Sequence, residues 1–481
     1  MSNLSELLPT GGGQNAVDFV ASGTLSSGQT VVLKSDGTVT AIAADANPPS
    51  AGAPVVYSGT NSVFLIKAAY DSGNDKIVLA YNDGGNSNYG TAIVGTVSGT
   101  SISFGAPVVY ATAYAPYGAP VYDSANGKIV IPYRDDGNSS YYIARVGTVS
   151  GTSISFGTAV VFSSTVASTT IGAVYDSANN KVVIAFQDFY NSLGKGIVGT
   201  VSGTSISFGT ATNFSTNYPE SISAAYDSSN GKVVIFYNEG TFGKARVATV
   251  SGTSITFGAL GQFENAAVAW TSATYDSSNN RVVIAYRDDG NSSYGTAAVG
   301  TVSGTSISFG TPVVFESADS TYNSATYDST NAKICIAYRD NGNLNYGTAV
   351  VGTVSGTSIS FDTPVVFETA TTRDQATTYD PDSQKVVIAY RDDGNSSYGT
   401  ALLFSTGSSN NTSFIGITAE AISDTATGAV NVYGGINEAQ TGLTIGGDYY
   451  VQDNGSLSTA TSTVKAGQAI SATTINMKDL T

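Results

Sequence analysis

The dipeptide Tyr-Asp occurs at Tyr70-Asp71, Tyr122-Asp123, Tyr175-Asp176, Tyr226-Asp227, Tyr275-Asp276, Tyr327-Asp328 and Tyr379-Asp380, at intervals of 52, 53, 51, 49, 52 and 52 residues. A near-constant period held over seven copies restricts the chain to an array of one supersecondary unit. Each copy continues alike. A polar turn (DSSNN, DSTNA, PDSQ) leads into an apolar run such as KVVIAYRD, then a polar loop (DGNSSYG), a second run (TAAVGTV), a Ser-Gly turn and a third run, TSISFGTPVVF.

Val282-Val283-Ile284-Ala285-Tyr286 is short, apolar and rich in β-branched residues, as in a strand buried on both faces. Ser-Gly between two alternating runs reads as a tight hairpin. In the sixth copy this predicts strand A near Ser324–Tyr327, B at Ile334–Arg339, C at Thr348–Val354 and D at Ser358–Phe367, kinked at Asp-Thr-Pro. Four strands in about fifty residues is the blade of a β-propeller.

The ends of the array indicate closure. GTVSGTSISFGAPVVY (Gly95–Tyr110) recurs in later copies, but the seventh stops at Leu402-Leu403-Phe404 without a D strand. Ser50–Tyr57 (SAGAPVVY), before the first copy, differs from Ser103–Tyr110 (SFGAPVVY) at one position. The split copy predicts an all-β, seven-bladed propeller closed by an N-terminal strand that completes the last blade, leaving no open sheet edge. The expected organisation is an N-terminal β-rich attachment segment over residues 1–48, the propeller over 49–405 and a small β module over 406–481. Both end segments carry a strand, an Asp-Gly or Asn-Gly hairpin and a strand (TVVLKSDGTV; YYVQDNGSLS), and closure makes them leave from the face of the A–B and C–D turns.

The opposite face carries the connections that differ from copy to copy: Ala111–Pro120, Ser163–Thr170, Ser215–Ser221, Glu264–Thr271, Glu316–Asn323 and Glu368–Gln375. Tyr114, Tyr117, Tyr218, Trp270 and Tyr322 lie within them, and Trp270 is the one tryptophan of the chain. Variable loops on a rigid scaffold are where binding resides, which makes these aromatics candidate binding residues; simple drift of the loops is the competing explanation.

Charge and composition exclude several functions. A net charge of −16, with 20 Lys and Arg against 36 Asp and Glu, makes the chain a poor partner for nucleic acid or an anionic membrane, and no apolar stretch reaches membrane-spanning length. The start lacks the basic and apolar regions of a secretory signal, so synthesis and assembly in the cytoplasm are expected if the chain is complete. With no histidine, Ser-His and Cys-His catalysis and His-ligated zinc are absent, and no cofactor motif occurs. Single Cys335, on an apolar strand, reads as a small core residue. Carboxylate-pair glycoside chemistry stays formally open, yet most acids sit at repeated turns, and no enzymatic activity is expected.

The B–C loops hold one recurring polar cluster: Asp135, Asp136 and Asn138; Asp288, Asp289 and Asn291; Asp392, Asp393 and Asn395. Such oxygens around a glycine are weak calcium candidates, without EF-hand spacing. The favoured reading is a turn in which Asp and Asn bond their own backbone while the preceding Arg pairs with a neighbouring blade's acid. The Lys or Arg opening each B strand reads as its solvated end, paired with the Asp of Tyr-Asp.

Leu4–Val39 (LSELLPTGGGQNAVDFVASGTLSSGQTVVLKSDGTV) resembles the start of virion structural proteins of tailed phages, marine phages and cyanophages especially. FIGITAEAISDTATGAVNVYGG, GLTIGGDYYVQDNGSLSTA and VKAGQAISATTINMK, within Phe414–Leu480, are similar to the small β module closing many such proteins. The resemblance covers about a quarter of the chain and carries no catalytic motif. It implies a tail fibre, spike or capsid decoration in the virion, assembled in the host cytoplasm. Other virion proteins would hold the terminal segments, and the propeller would face a host-surface glycan or protein. A purely architectural decoration, a carbohydrate-active propeller and a cellular surface protein are the rival readings. Phage fibres are often trimeric, whereas a closed propeller needs no partner to fold, so homo-oligomerisation stays open.

Overall fold

The computed structural model describes residues 15–42, 48–165, 167–407, 413–452, 454–459 and 464–477, and the chain divides into two compact units, 50–406 and the two end segments together. Leu4–Gln14 of the phage-like opening lies outside the described residues.

Residues 50–406 form seven antiparallel four-stranded blades. In the sixth, strand A is the second half of Val313–Asp328, B is Lys333–Asp340, C is Tyr346–Ser355, and D is Ser358–Phe361 continued from Val365. The break after Phe361 falls where Asp-Thr-Pro predicts a kink. Two of the expected D–A loops are not loops. Glu316–Asn323 and Glu368–Gln375 lie inside the unbroken strands Val313–Asp328 and Val365–Asp380, each of which pairs as D in one blade and as A in the next. Backbone pairing on both sides of the crossing keeps the chain in the ladders there, apart from one left-handed residue in each, Tyr322 or Asp374.

The seventh blade is completed across the chain. Ser50–Ala51 and Val55–Val56 pair with Tyr398–Ser405, with Ala51 opposite Phe404 and Val55 opposite Ala401. Ser50 and Ser405 face each other, so both chain ends leave the propeller at one corner of this blade. The seam has the same core as every other inter-blade contact. A buried aromatic on each B strand meets an aromatic on the preceding blade's D strand: Tyr110–Tyr133, Phe162–Phe186, Phe214–Tyr237, Phe263–Tyr286, Phe315–Tyr338 and Phe367–Tyr390, at centroid distances of 5.0–5.3 Å. Tyr57–Tyr81, at 5.4 Å, is the seventh such pair and closes the ring. Edge-to-face pairs of this kind contribute about 0.5–1.5 kcal/mol beyond the area they bury.

The Tyr-Asp signature has a clear task. Each Asp is buried and caps the A–B turn: Asp276 Oδ1 accepts from the Ser278 and Asn279 amides at 3.0 Å, and its Oδ2 accepts from Asn279 Nδ2 at 2.8 Å. The Tyr reaches the preceding blade's turn, as Tyr327 does in donating to Ser278 Oγ at 2.6 Å and Tyr379 in donating to Thr330 Oγ1 at 2.6 Å. The dipeptide therefore ties blade to blade along one face. The Asp is not paired with the Lys that opens strand B; Lys76 Nζ donates instead to the carbonyls of Asn74 and Asp75. A turn carbonyl is nearer to that ammonium than an Asp committed to three amide donors.

The end segments build one unit. Ala16–Val20, Thr427–Val432, Phe414–Thr418, Thr30–Leu33 and Val39–Ala41 form a sheet in that order, so the two C-terminal strands lie between N-terminal ones. A second sheet runs Ile436–Asn437, Ile475–Asn476, Lys465–Ala469, Asp448–Val451, Leu457–Ser458. The Asp36-Gly37 and Asn454-Gly455 turns join the hairpins read from sequence, each glycine at positive φ. Val32 and Ile42 share a core with Phe414, Ile417 and Val451.

Candidate functional site

The A strands line the propeller axis, and five of them carry a distortion at the same place. Ladder register shifts between Phe64 and Lys67, Glu220 and Ser223, Ala269 and Ser272, Thr321 and Ser324, and Arg373 and Ala376. Five residues before the repeat tyrosine stand Leu65, Ser221, Trp270, Tyr322 and Asp374, within these stretches, and Tyr117, in the turn ahead of Val121–Asp123, all with φ between 47° and 63°. Left-handed backbone costs a residue with a Cβ roughly 1–2 kcal/mol. Repetition of that cost in six blades marks a purpose, and a bulge re-aims the side chain it carries. All six, with Thr170 at the same place in the third blade, line a cavity of about 1070 Å³ to which all seven blades contribute.

The cavity has two unlike walls. Ile66, Ile171 and Ile222, from blades 1, 3 and 4, make one apolar. Blades 5, 6 and 7 place Thr271, Asn323 and Gln375 at the same repeat position. Asn323 and Gln375 are 6 % and 2 % exposed; Asn323 Nδ2 and Gln375 Oε1 have no protein partner. Beside them Trp270 and Tyr322 pack at a centroid distance of 4.3 Å, and the Arg339 guanidinium lies 5.0 Å from the Tyr322 ring. Arg373 and Arg391 both bind Asp393, through Nε at 2.7 and 2.6 Å, and Arg391 covers Phe64 at 4.8 Å.

Charge within the cavity is unevenly settled. Burial lifts the Asp374 carboxyl above the usual Asp range, even though the Leu65 amide and the charges of Lys67, Arg391 and Arg373 favour its anion. Burial lowers the Lys67 ammonium although its side chain meets solvent within the channel, and Asp374 counters only part of this. Asp393 goes the other way: burial opposes its charge, but the bond from Arg373 and the charge of Arg391 outweigh it and hold the carboxyl low. Burial also raises the phenols of Tyr114 and Tyr117, which stay protonated and able to donate.

Four of the five aromatics singled out from sequence therefore meet: Tyr114, Tyr117, Trp270 and Tyr322 line one cavity. Tyr218 does not. It packs 6.2 Å from Phe189 at the edge between blades 3 and 4, beside exposed Tyr190. Lys67, Asn323, Arg373, Asp374, Gln375 and Arg391 are lining residues that sequence reasoning missed. A signal was present: aligned on Tyr-Asp, the copies differ most at the sixth and fifth residues before it.

The weak calcium candidates are occupied by the chain itself. Asp135, Asp288 and Asp392 accept the amides of Gly137, Gly290 and Gly394 at 2.9–3.0 Å. Asp136, Asp289 and Asp393 bind Arg134, Arg287 and Arg391 of their own loops at 2.5–2.6 Å. Asn138 and Asn291 donate backbone amides to the carbonyls of Asp135 and Asp288, and Asn395 donates to the Asp392 carboxylate. Among the described residues no group of three or more His, Cys, Asp or Glu is placed to hold a metal ion. The loop arginines thus bind chiefly within their own loop, two residues on, where the expected partner was a neighbouring blade; Arg287 also reaches Asp319, on the D strand of its own blade, at 3.8 Å.

These features define a seven-bladed propeller with a differentiated axial cavity. Its fold is similar to that of the BP39L lectin from Burkholderia pseudomallei, with TM-score 0.55 and 12 % identity, covering 72 % of this chain and 97 % of that one. The Dos1 propeller aligns over 75 % of this chain and 95 % of its own at 11 % identity and TM-score 0.45. AofleA from Arthrobotrys oligospora aligns over 69 % and 94 % at 10 % identity and TM-score 0.42. No family model and no curated protein matches the sequence.

Proposed function

We propose that this chain is a non-enzymatic binding protein whose axial cavity takes a saccharide, with the end unit anchoring it to a tailed-phage virion. The observation that carries the binding reading is the bulge column. Six blades hold bulky or polar residues in left-handed backbone to present a differing side chain at one cavity. Exposed aromatic faces, planar amides that each keep one unpartnered atom and guanidinium groups are the equipment for the apolar face and hydroxyl ring of a sugar. That the BP39L propeller is a lectin makes saccharides the ligands to test first. A binding role without catalysis accords with the absence of histidine and with the two lining carboxylates, Glu220 and Asp374, coming from blades 4 and 7 across the ring. The virion role rests on the resemblance of the end segments.

The chain contains one tryptophan, Trp270, and it stands in the cavity wall. Ligand entry should therefore shift or quench the whole intrinsic tryptophan emission. A panel of neutral and acidic oligosaccharides titrated into the full chain should include members that do so saturably. Binding should be lost in Trp270→Ala, read by calorimetry. Silence across the panel in both measurements would overturn the saccharide reading. Absence of the chain from purified phage particles would overturn the virion reading separately.

A further inference from the structure

The cavity lining is richer in cations than the molecule as a whole, although Asp289 and Asp393 pair with its arginines. The chain has 20 Lys and Arg against 36 Asp and Glu. The lining holds Lys67, Arg287, Arg373 and Arg391 against Glu220 and Asp374, so 4 of 20 cations meet there but only 2 of 36 acids. We propose that the occupant is an acidic saccharide, its anionic group seated on Arg373 and its ring against Trp270 and Tyr322. This rests on the saccharide reading above and narrows it.

Three features carry the assignment. Arg373 is pre-oriented: Nε is fixed on Asp393 at 2.7 Å, yet the side chain is 42 % exposed at the cavity. One carboxylate, Asp393, serves both Arg373 and Arg391, so the pair of guanidinium groups keeps a surplus positive charge that a ligand anion can neutralise. The rigid guanidinium fork of Arg can grip two oxygens of one carboxylate or sulfate, which the single ammonium of Lys cannot. Beside it, buried Asn323 Nδ2 is a donor with no partner in the protein, suited to an anion or hydroxyl oxygen. Burial lifts Asp374 toward its neutral form, which removes part of the opposing charge.

The test uses the full chain and oligosaccharides containing glucuronate, galacturonate or N-acetylneuraminate, each paired with its methyl ester, which keeps size and hydroxyls but loses the charge. A sulfated oligosaccharide and its desulfated form make the further pair. At least one acid should bind tenfold or more tightly than its uncharged partner, and that advantage should shrink as salt is raised. Which pair responds distinguishes carboxylate from sulfate. Arg373→Gln should erase the difference between partners while the melting temperature stays close to that of the parent, and Arg373→Lys should restore part of it. Equal binding of charged and uncharged partners, or binding by neutral sugars alone, would overturn this inference and leave the saccharide reading standing. No binding by any saccharide would overturn both. The ester comparison and the salt series are made on the unaltered protein, so neither depends on a variant folding.

Discussion

Gly157 stands in the break of the second blade's D strand, and an added Cβ would lie 1.9 Å from the Thr204 carbonyl oxygen in the next blade's C–D hairpin. Gly105, Gly209, Gly258 and Gly310 repeat this approach. The sixth blade has Asp362 there, and the seventh blade is the one whose C and D strands are not joined by a hairpin. Gly157→Ala should therefore lower stability by about 1–3 kcal/mol, as overpacking against backbone does, whereas Asp362→Gly should change it by less than about 1 kcal/mol. Urea denaturation of the two variants measures both. Asp374 makes a pH-dependent prediction. Its carboxyl titrates above the usual Asp value in the folded chain, so the folded state holds the proton more tightly than the unfolded one. Its contribution is most favourable below the unfolded value and is lost as pH rises through the elevated folded one. Asp374→Asn should thus raise the melting temperature at neutral pH and flatten its fall from the acid side, read by melting curves across that range. Lys67, outside the positions that vary most between copies, could not be assigned to the cavity from sequence. In an undistorted strand the two-residue alternation sets which face a side chain takes, and the bulge resets that alternation without leaving a glycine or proline to mark it.

Among elements, the strand at Ser50–Val56 carries the ring's closure. Its Tyr57 neighbour makes with Tyr81 the contact that Phe315 makes with Tyr338 in the interior of the array. Tyr57→Ala and Phe315→Ala should each cost about 3–5 kcal/mol. Equality within error in chemical denaturation shows that the seam is as strong as an internal contact; a much smaller loss for Tyr57→Ala would show that it is not. Closure was legible because a split copy leaves a visible remnant, SAGAPVVY, at the far end of the chain. The continuous crossings Val313–Asp328 and Val365–Asp380 were not legible. Their Ser, Thr and Asp residues have the composition of a loop, and pairing with two different blades holds them in the ladders all the same.

At the scale of the whole molecule, the chain has two compact units and one tryptophan, which lies in the propeller. Calorimetry should resolve two unfolding transitions, and tryptophan fluorescence should follow only one of them. A cavity ligand should raise the transition that fluorescence follows and leave the other in place. A single transition, coincident by both probes, would show that the units unfold together. The pairing of Ala51 with Phe404 also has a consequence for how the ring is made. A ribosome adding about 5–20 residues per second needs roughly 20–70 s to travel between these two partners. Through that interval six blades can form and pack in turn while the first strand waits without its sheet. The last blade is finished by the oldest segment of the propeller, so maturation of the ring is timed by the arrival of Tyr398–Ser405 rather than by any blade before it.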